Sequence, residues 1–112
     1  MRRREPLLLQ GILDAIAAVN RHRPASLAVL ETNELIRVFV QKQIEIIGEA
    51  AARLSSETRE ASSEIPWHLV IGMRNRLVHD YANVDCSVLW NVMKQHLEPL
   101  GIEITKLVER WR

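Results

Sequence analysis

The sequence has little that would staple, span or coat. Its 112 residues include one cysteine, Cys86, so no internal disulfide can close, and no Cys/His cluster has zinc-finger spacing. Glycine and proline number four each, too few for a low-complexity linker or a loop-rich chain. An excess of one charge is missing too: 15 Lys and Arg oppose 14 Asp and Glu, a formal +1. That balance argues against a broad nucleic-acid-coating surface and confines any such contact to a local site. The apolar stretch over residues 7–19 is interrupted by Gln10, Gly11 and Asp14, and is too short and too polar to cross a bilayer. The basic start, Met1-Arg2-Arg3-Arg4, precedes no small-residue cleavage site, so no signal peptide is expected. These absences predict a reduced, cytoplasmic protein with no membrane association, metal or cofactor. What is present, 47% hydrophobic and 26% charged residues, is a globular balance that suits one domain over residues 1–112.

The periodicity is helical throughout, and no run alternates with period two. A first helix opens near Pro6 and carries Leu9, Ile12, Ile16 and Val19 on one face. A second, with Thr32 as the expected N-cap, places Ile36, Val40, Gln43, Ile47, Ala50 and Leu54 at alternating steps of four and three. Phe39, Ile44 and Ile46 widen its apolar surface, so it should touch more than one neighbour, and Gln43 needs a partner if buried. Residues 55–64 read as a polar loop with at most one helical turn. A third helix starts at Ile65-Pro66-Trp67 and ends between Tyr81 and Val84. A fourth is capped by Asp85 or Ser87, with a kink or break expected near Glu98 because Pro99 lies inside it. The expected fold is all-α, an up-and-down bundle of four to five helices.

One segment carries groups suited to chemistry: Arg74-Asn75-Arg76-Leu77-Val78-His79-Asp80-Tyr81. Histidine titrates near neutrality and moves protons; arginine offers a fork of donors that matches a phosphate. A base beside a phosphate clamp, with no cluster of acidic metal ligands, fits metal-independent RNA cleavage. There His79 moves the proton of the ribose 2′-OH, Arg74 holds the scissile phosphate, and Asn75 orients the histidine or the RNA. Geometry complicates this assignment. Positions 74 and 79 lie about 140° apart around a regular helix, whereas Asn75 shares a face with His79 and Arg76 pairs with Asp80 as an ordinary surface ion pair. Arg74 and His79 converge if the helix frays before His79, or if two copies pack with this segment at their contact, as in a homodimer.

The segment resembles the Arg-x4-His-x-Tyr signature of HepT-like proteins, a branch of the HEPN superfamily, with Arg74, His79 and Tyr81 on its three positions. Gln43-Ile44-Glu45-Ile46-Ile47-Gly48-Glu49-Ala50 and Ile65-Pro66-Trp67 followed by Ile71-Gly72-Met73-Arg74 agree with it, and the similarity runs over about residues 7–108. The resemblance implies a homodimeric helical bundle whose two motifs face a shared cleft, and a metal-independent ribonuclease toxin of the type VII toxin–antitoxin kind. It also implies an RNA substrate and a nucleotidyltransferase antitoxin of the MntA type that transfers AMP to Tyr81. The alternative is a non-catalytic companion subunit of a minimal nucleotidyltransferase, in which Arg74 and His79 hold a nucleotide or phosphate.

The remaining polar and aromatic residues read as structural. His22 is expected in a solvated turn, His68 at the surface and His96 at the boundary between buried and exposed faces, with Glu45 and Glu49 as a solvated or partner-facing row. Gly48 should permit close helix packing, and Trp67 and Trp90 should serve core or dimer packing.

Overall fold

The computed structural model describes residues 4–79 and 84–110, the side chains of Val78 and His79 excepted. The described residues are all-helical. In chain order they form α1 (Glu5–Arg21), α2 (Leu27–Thr32), α3 (Glu34–Arg53), α4 (Ser56–Glu60), α5 (Trp67–His79), α6 (Cys86–Asn91), a π-helical turn (Val92–His96) and α7 (Leu97–Arg110). No helix among them is long and apolar enough to cross a membrane.

α1 starts with Pro6 in its first turn, where the missing N–H is no loss, and buries Leu9, Ile12, Ile16 and Val19. It packs on α3 and α7. The loop after it is tied down by Arg23, whose guanidinium donates to the Met93 carbonyl at 3.2 Å. α2 is a short segment that the sequence did not announce. It is capped by Ser26, whose hydroxyl accepts from the Val29 amide. Thr32 closes α2 and does not cap α3, because its hydroxyl donates to the Ala28 carbonyl at 2.8 Å. The cap of α3 is Asn33, extended in backbone, with its side-chain oxygen accepting from the Ile36 amide at 3.2 Å.

α3 is the spine. One buried stripe holds Val40, Ile47, Ala50 and Leu54; a second, rotated around the rod, holds Gln41, Ile44, Gly48 and Ala51. Its main packing partners are α1 and α5, with α2 and α6 touching it as well, as the width of its apolar surface requires. The buried glutamine is Gln41, 2% exposed, while Gln43 is only half-buried. The four-three spacing through Gln43 tracks one stripe and misses the one beside it.

The connection between α3 and α5 is pinned at both ends. Ser55 caps α4, and its own amide donates to the carboxylate of Glu5, 1% exposed and brought from the start of α1. The indole N–H of Trp67 donates to the carbonyls of Arg59 (3.0 Å) and Ser62 (3.1 Å), which locks α4 against the start of α5. Glu5→Ala should therefore cost about 2 kcal/mol of unfolding free energy, the scale of a charge-assisted hydrogen bond lost from a buried site. A denaturant titration reads this directly, as a lower midpoint at unchanged slope.

Asp85 opens α6, accepting from the Ser87 amide at 2.8 Å. The expected break near Glu98 does not occur: the rod runs on through Pro99. The irregularity is moved upstream into the π turn, where the Leu97 amide reaches the Val92 carbonyl, five residues back. Proline clashes with the carbonyl four residues before it and offers no N–H, and one wider turn ahead of it relieves both faults without stopping the helix. Pro99 then sits in the first turn of α7.

Several contacts gather the chain at one pole. Arg37, near the start of α3, donates to the carbonyls of Leu30 and Glu31. The Cys86 thiol lies 3.9 Å from the Leu30 carbonyl, and Leu77 of α5 shares a small cavity with Val84, Val88 and Leu89. The start of α3 and the end of α5 therefore lie together, and the two helices run antiparallel.

Candidate functional site

Arg74 sits on the side of α5 that faces α3, one turn beyond Val70 and one before Leu77. The two helices meet there at Gly48. A methyl group at position 48 would overlap the Arg74 Cβ, and would lie 3.0 Å from both the Arg74 Cγ and the Val70 carbonyl oxygen. No other residue fits at 48 without separating the helices, so the glycine sets where the Arg74 side chain begins. The stem is thus held in packing and the residue is half-buried. Its Nε is buried and has no hydrogen-bond partner among the described residues. Leaving such a donor unsatisfied typically costs about 1–3 kcal/mol. Here it is part of a guanidinium that makes no ion pair or hydrogen bond among the described residues.

Asn75, the next residue, is exposed on the outer side of α5 and borders an open cleft of 590 Å³ between α4 and α5. α5 is helical through His79, the last described residue before Val84. Fraying ahead of the histidine is therefore not the route by which positions 74 and 79 could meet. The His79 side chain, Tyr81 and the Arg76–Asp80 pair expected from sequence lie outside the described residues.

The other candidates fall into structural places. His22, His68 and His96 are exposed, His22 making an edge-on contact of 5.2 Å with Phe39. Glu49 pairs with Arg53 at 3.2 Å, and Glu45 lies 4.0 Å from Lys42. Trp67 is buried with its N–H satisfied, and Trp90 is half-buried with Lys94 over its ring at 5.5 Å. No group of three His, Cys, Asp or Glu among the described residues is placed to hold a metal ion. Sequence reasoning missed Gln41 and Glu5. Gln41 had a signal, since it lies seven residues ahead of Gly48 and shares its stripe; Glu5, in a basic N-terminal stretch, had none.

Comparison with known proteins completes the picture. Residues 12–107 match the family model described as HepT-like, "Ribonuclease HepT-like". The chain is 35% identical over 72 residues to "Putative RNase MJ1380" of Methanocaldococcus jannaschii, covering 64% of this chain and 66% of that protein. It is 34% identical over 76 residues to "Putative RNase TTE0752" of Caldanaerobacter subterraneus, covering 68% and 67%. It is 37% identical over 68 residues to "Probable ribonuclease HepT" of Thermococcus cleftensis, covering 61% and 62%. The matched segments thus span about two thirds of these relatives' length. No solved structure matches the chain. With the family model covering nearly the whole sequence, the chain belongs to the HepT-like ribonuclease family.

Proposed function

We propose that this protein is the toxin of a type VII toxin–antitoxin system, a metal-independent endoribonuclease that works as a homodimer. The observation that carries the proposal is Arg74: its stem is fixed against Gly48 and its buried Nε has no partner among the described residues, as suits a donor kept for an incoming phosphate. In one copy positions 74 and 79 diverge around a helix that is regular through position 79. A second copy set against the first supplies the missing convergence. His79 takes the proton of the ribose 2′-OH, whose oxygen attacks the adjacent phosphorus. The bond from phosphorus to the 5′ oxygen breaks, and that oxygen receives a proton, leaving a 2′,3′-cyclic phosphate and a 5′-hydroxyl. Arg74 neutralises the charge that builds on the phosphate oxygens, and Asn75 orients the RNA or the imidazole.

The antitoxin in this proposal is a nucleotidyltransferase of the MntA type. It joins the Tyr81 phenolic oxygen to the α-phosphorus of ATP, with pyrophosphate leaving and the phenolic proton passing to solvent. A bulky anion two residues from His79 would block the strand and cancel the local positive charge.

Freshly purified, unmodified protein is expected to cut RNA in EDTA. Dimeric protein that leaves RNA intact overturns the ribonuclease assignment and favours the companion-subunit alternative. Mass spectrometry of Tyr81 peptides, after incubation with a nucleotidyltransferase of the MntA type and ATP, should show addition of AMP. A neutralised protein with unmodified Tyr81 would mean inhibition by plain occlusion.

A further inference from the structure

The α4–α5 cleft adjoins the chemistry above through Asn75, which lies on its rim. Its floor is apolar, formed by Trp67 and Ile71; its rim offers the donors and acceptors of Arg59, Glu60, His68 and Asn75. His68, Gly72, Asn75 and His79 follow one another at intervals of four, three and four, so they share one stripe of α5. The cleft therefore leads along the helix towards the end that carries His79, with Asn75 about 6 Å of axial rise short of it.

Gly72, in the middle of the stripe, is the informative residue. A glycine inside a helix is destabilising by about 1 kcal/mol relative to alanine. Gly48 justifies that cost by letting α3 and α5 touch. A methyl group at Gly72 would meet nothing within 4 Å, and no unusual backbone angle asks for glycine. The stretch of the cleft beside Gly72 is therefore open, and a large side chain placed there would fill it.

Resting on the ribonuclease reading, we infer that the cleft is a nucleobase subsite, holding an unpaired base of the RNA strand that flanks the cut phosphate. A flat ring with polar edges matches an apolar floor with a polar rim, and 590 Å³ is ample for it. Arg59 reaches the phosphate of that nucleotide, while Glu60, His68 and Asn75 face the base edges.

The test is binding of a fluorescent single-stranded 2′-O-methyl RNA hexamer, which lacks the attacking hydroxyl and is not cut. Gly72→Leu plugs the cleft and should weaken binding by about tenfold or more, the scale of one lost base contact. It should do so while melting no lower than wild type, since leucine is the better helix former. Gly11→Leu is the control, because a side chain there also meets nothing within 4 Å, on a different helix; its affinity should stay at the wild-type value. Arg59→Ala should reduce the salt dependence of binding by about one phosphate contact. Wild-type affinity in Gly72→Leu overturns the subsite, and cleavage of RNA by that same variant in EDTA would leave the ribonuclease assignment standing. Binding that responds to Gly72→Leu in a protein that cuts no RNA supports the subsite and overturns the nuclease. Failure of wild type to bind the hexamer overturns the subsite. So does conversion of a dimer to a monomer by Gly72→Leu, which would give the cleft to the contact between copies.

Discussion

Arg74→Ala is expected to fold normally and to lose RNA cleavage by about a hundredfold to a thousandfold, the scale of removing one preorganised donor from a developing oxyanion. The variant keeps the Cβ that rests against Gly48, so the α3–α5 contact survives. It also removes a buried nitrogen that has no partner among the described residues. Stability should therefore stay within about 1 kcal/mol of wild type, and a rise would be no surprise. The conservative change is equally informative. Arg74→Lys keeps the charge but loses the planar fork, and Lys cannot grip a phosphate by two parallel bonds. If the arginine acts by geometry, Arg74→Lys will resemble Arg74→Ala; if it acts by charge alone, most of the rate will return. Full activity in Arg74→Ala would remove the basis of the proposed mechanism. His79→Ala should abolish cleavage with comparable force, and the double variant should be little worse than either single one, because the two groups serve one step.

Gly48→Ala is the complementary change, expected to damage the fold and the activity together. In an exposed helix the substitution would stabilise by about 1 kcal/mol. Here the added methyl overlaps the Arg74 Cβ and crowds the Val70 carbonyl oxygen, so either α5 moves off α3 or the side chains leave their rotamers. Overpacking of this kind costs about 1–3 kcal/mol or more, which outweighs the propensity gain. A net loss of about 2 kcal/mol in urea unfolding is the expected result, with RNA cleavage falling in parallel. Arg74→Ala will not rescue it, because alanine retains the offending carbon. Arg74→Gly should restore part of the stability, though not all, since the Val70 oxygen remains. If Gly48→Ala is as stable as wild type, the close approach of the two helices is not what fixes the arginine.

Helix type and rough position were legible because α1, α3 and the α6–α7 rod write their buried faces as long periodic stripes. Caps were less so. Thr32 and Asn33 are adjacent and both suited to the role; the choice rests on which side chain bonds its own helix and which bonds the next. Pro99 signalled an irregularity in the right rod but not its form, because a helix can absorb the clash upstream as readily as it can break. At the site, Arg74 was singled out by residue type, and Gly48 by its place among large residues. Their contact was not legible, since 26 positions separate them and only the packing of α3 on α5 brings them together. Glu5 shows the limit most clearly. Its bond to the Ser55 amide joins residues 50 apart in sequence, and no local pattern announces it.

The contact between Gly48 and Arg74 has a consequence for how such a molecule fails. The side chain proposed to grip the phosphate is rooted in the seam between two helices, so its aim is only as good as that seam. Damage that loosens the pair, whether by heat, by mutation or by incomplete folding, misdirects the guanidinium before the rods themselves melt. Under the proposed mechanism, imperfect copies are then silent copies, a safeguard built into the packing itself.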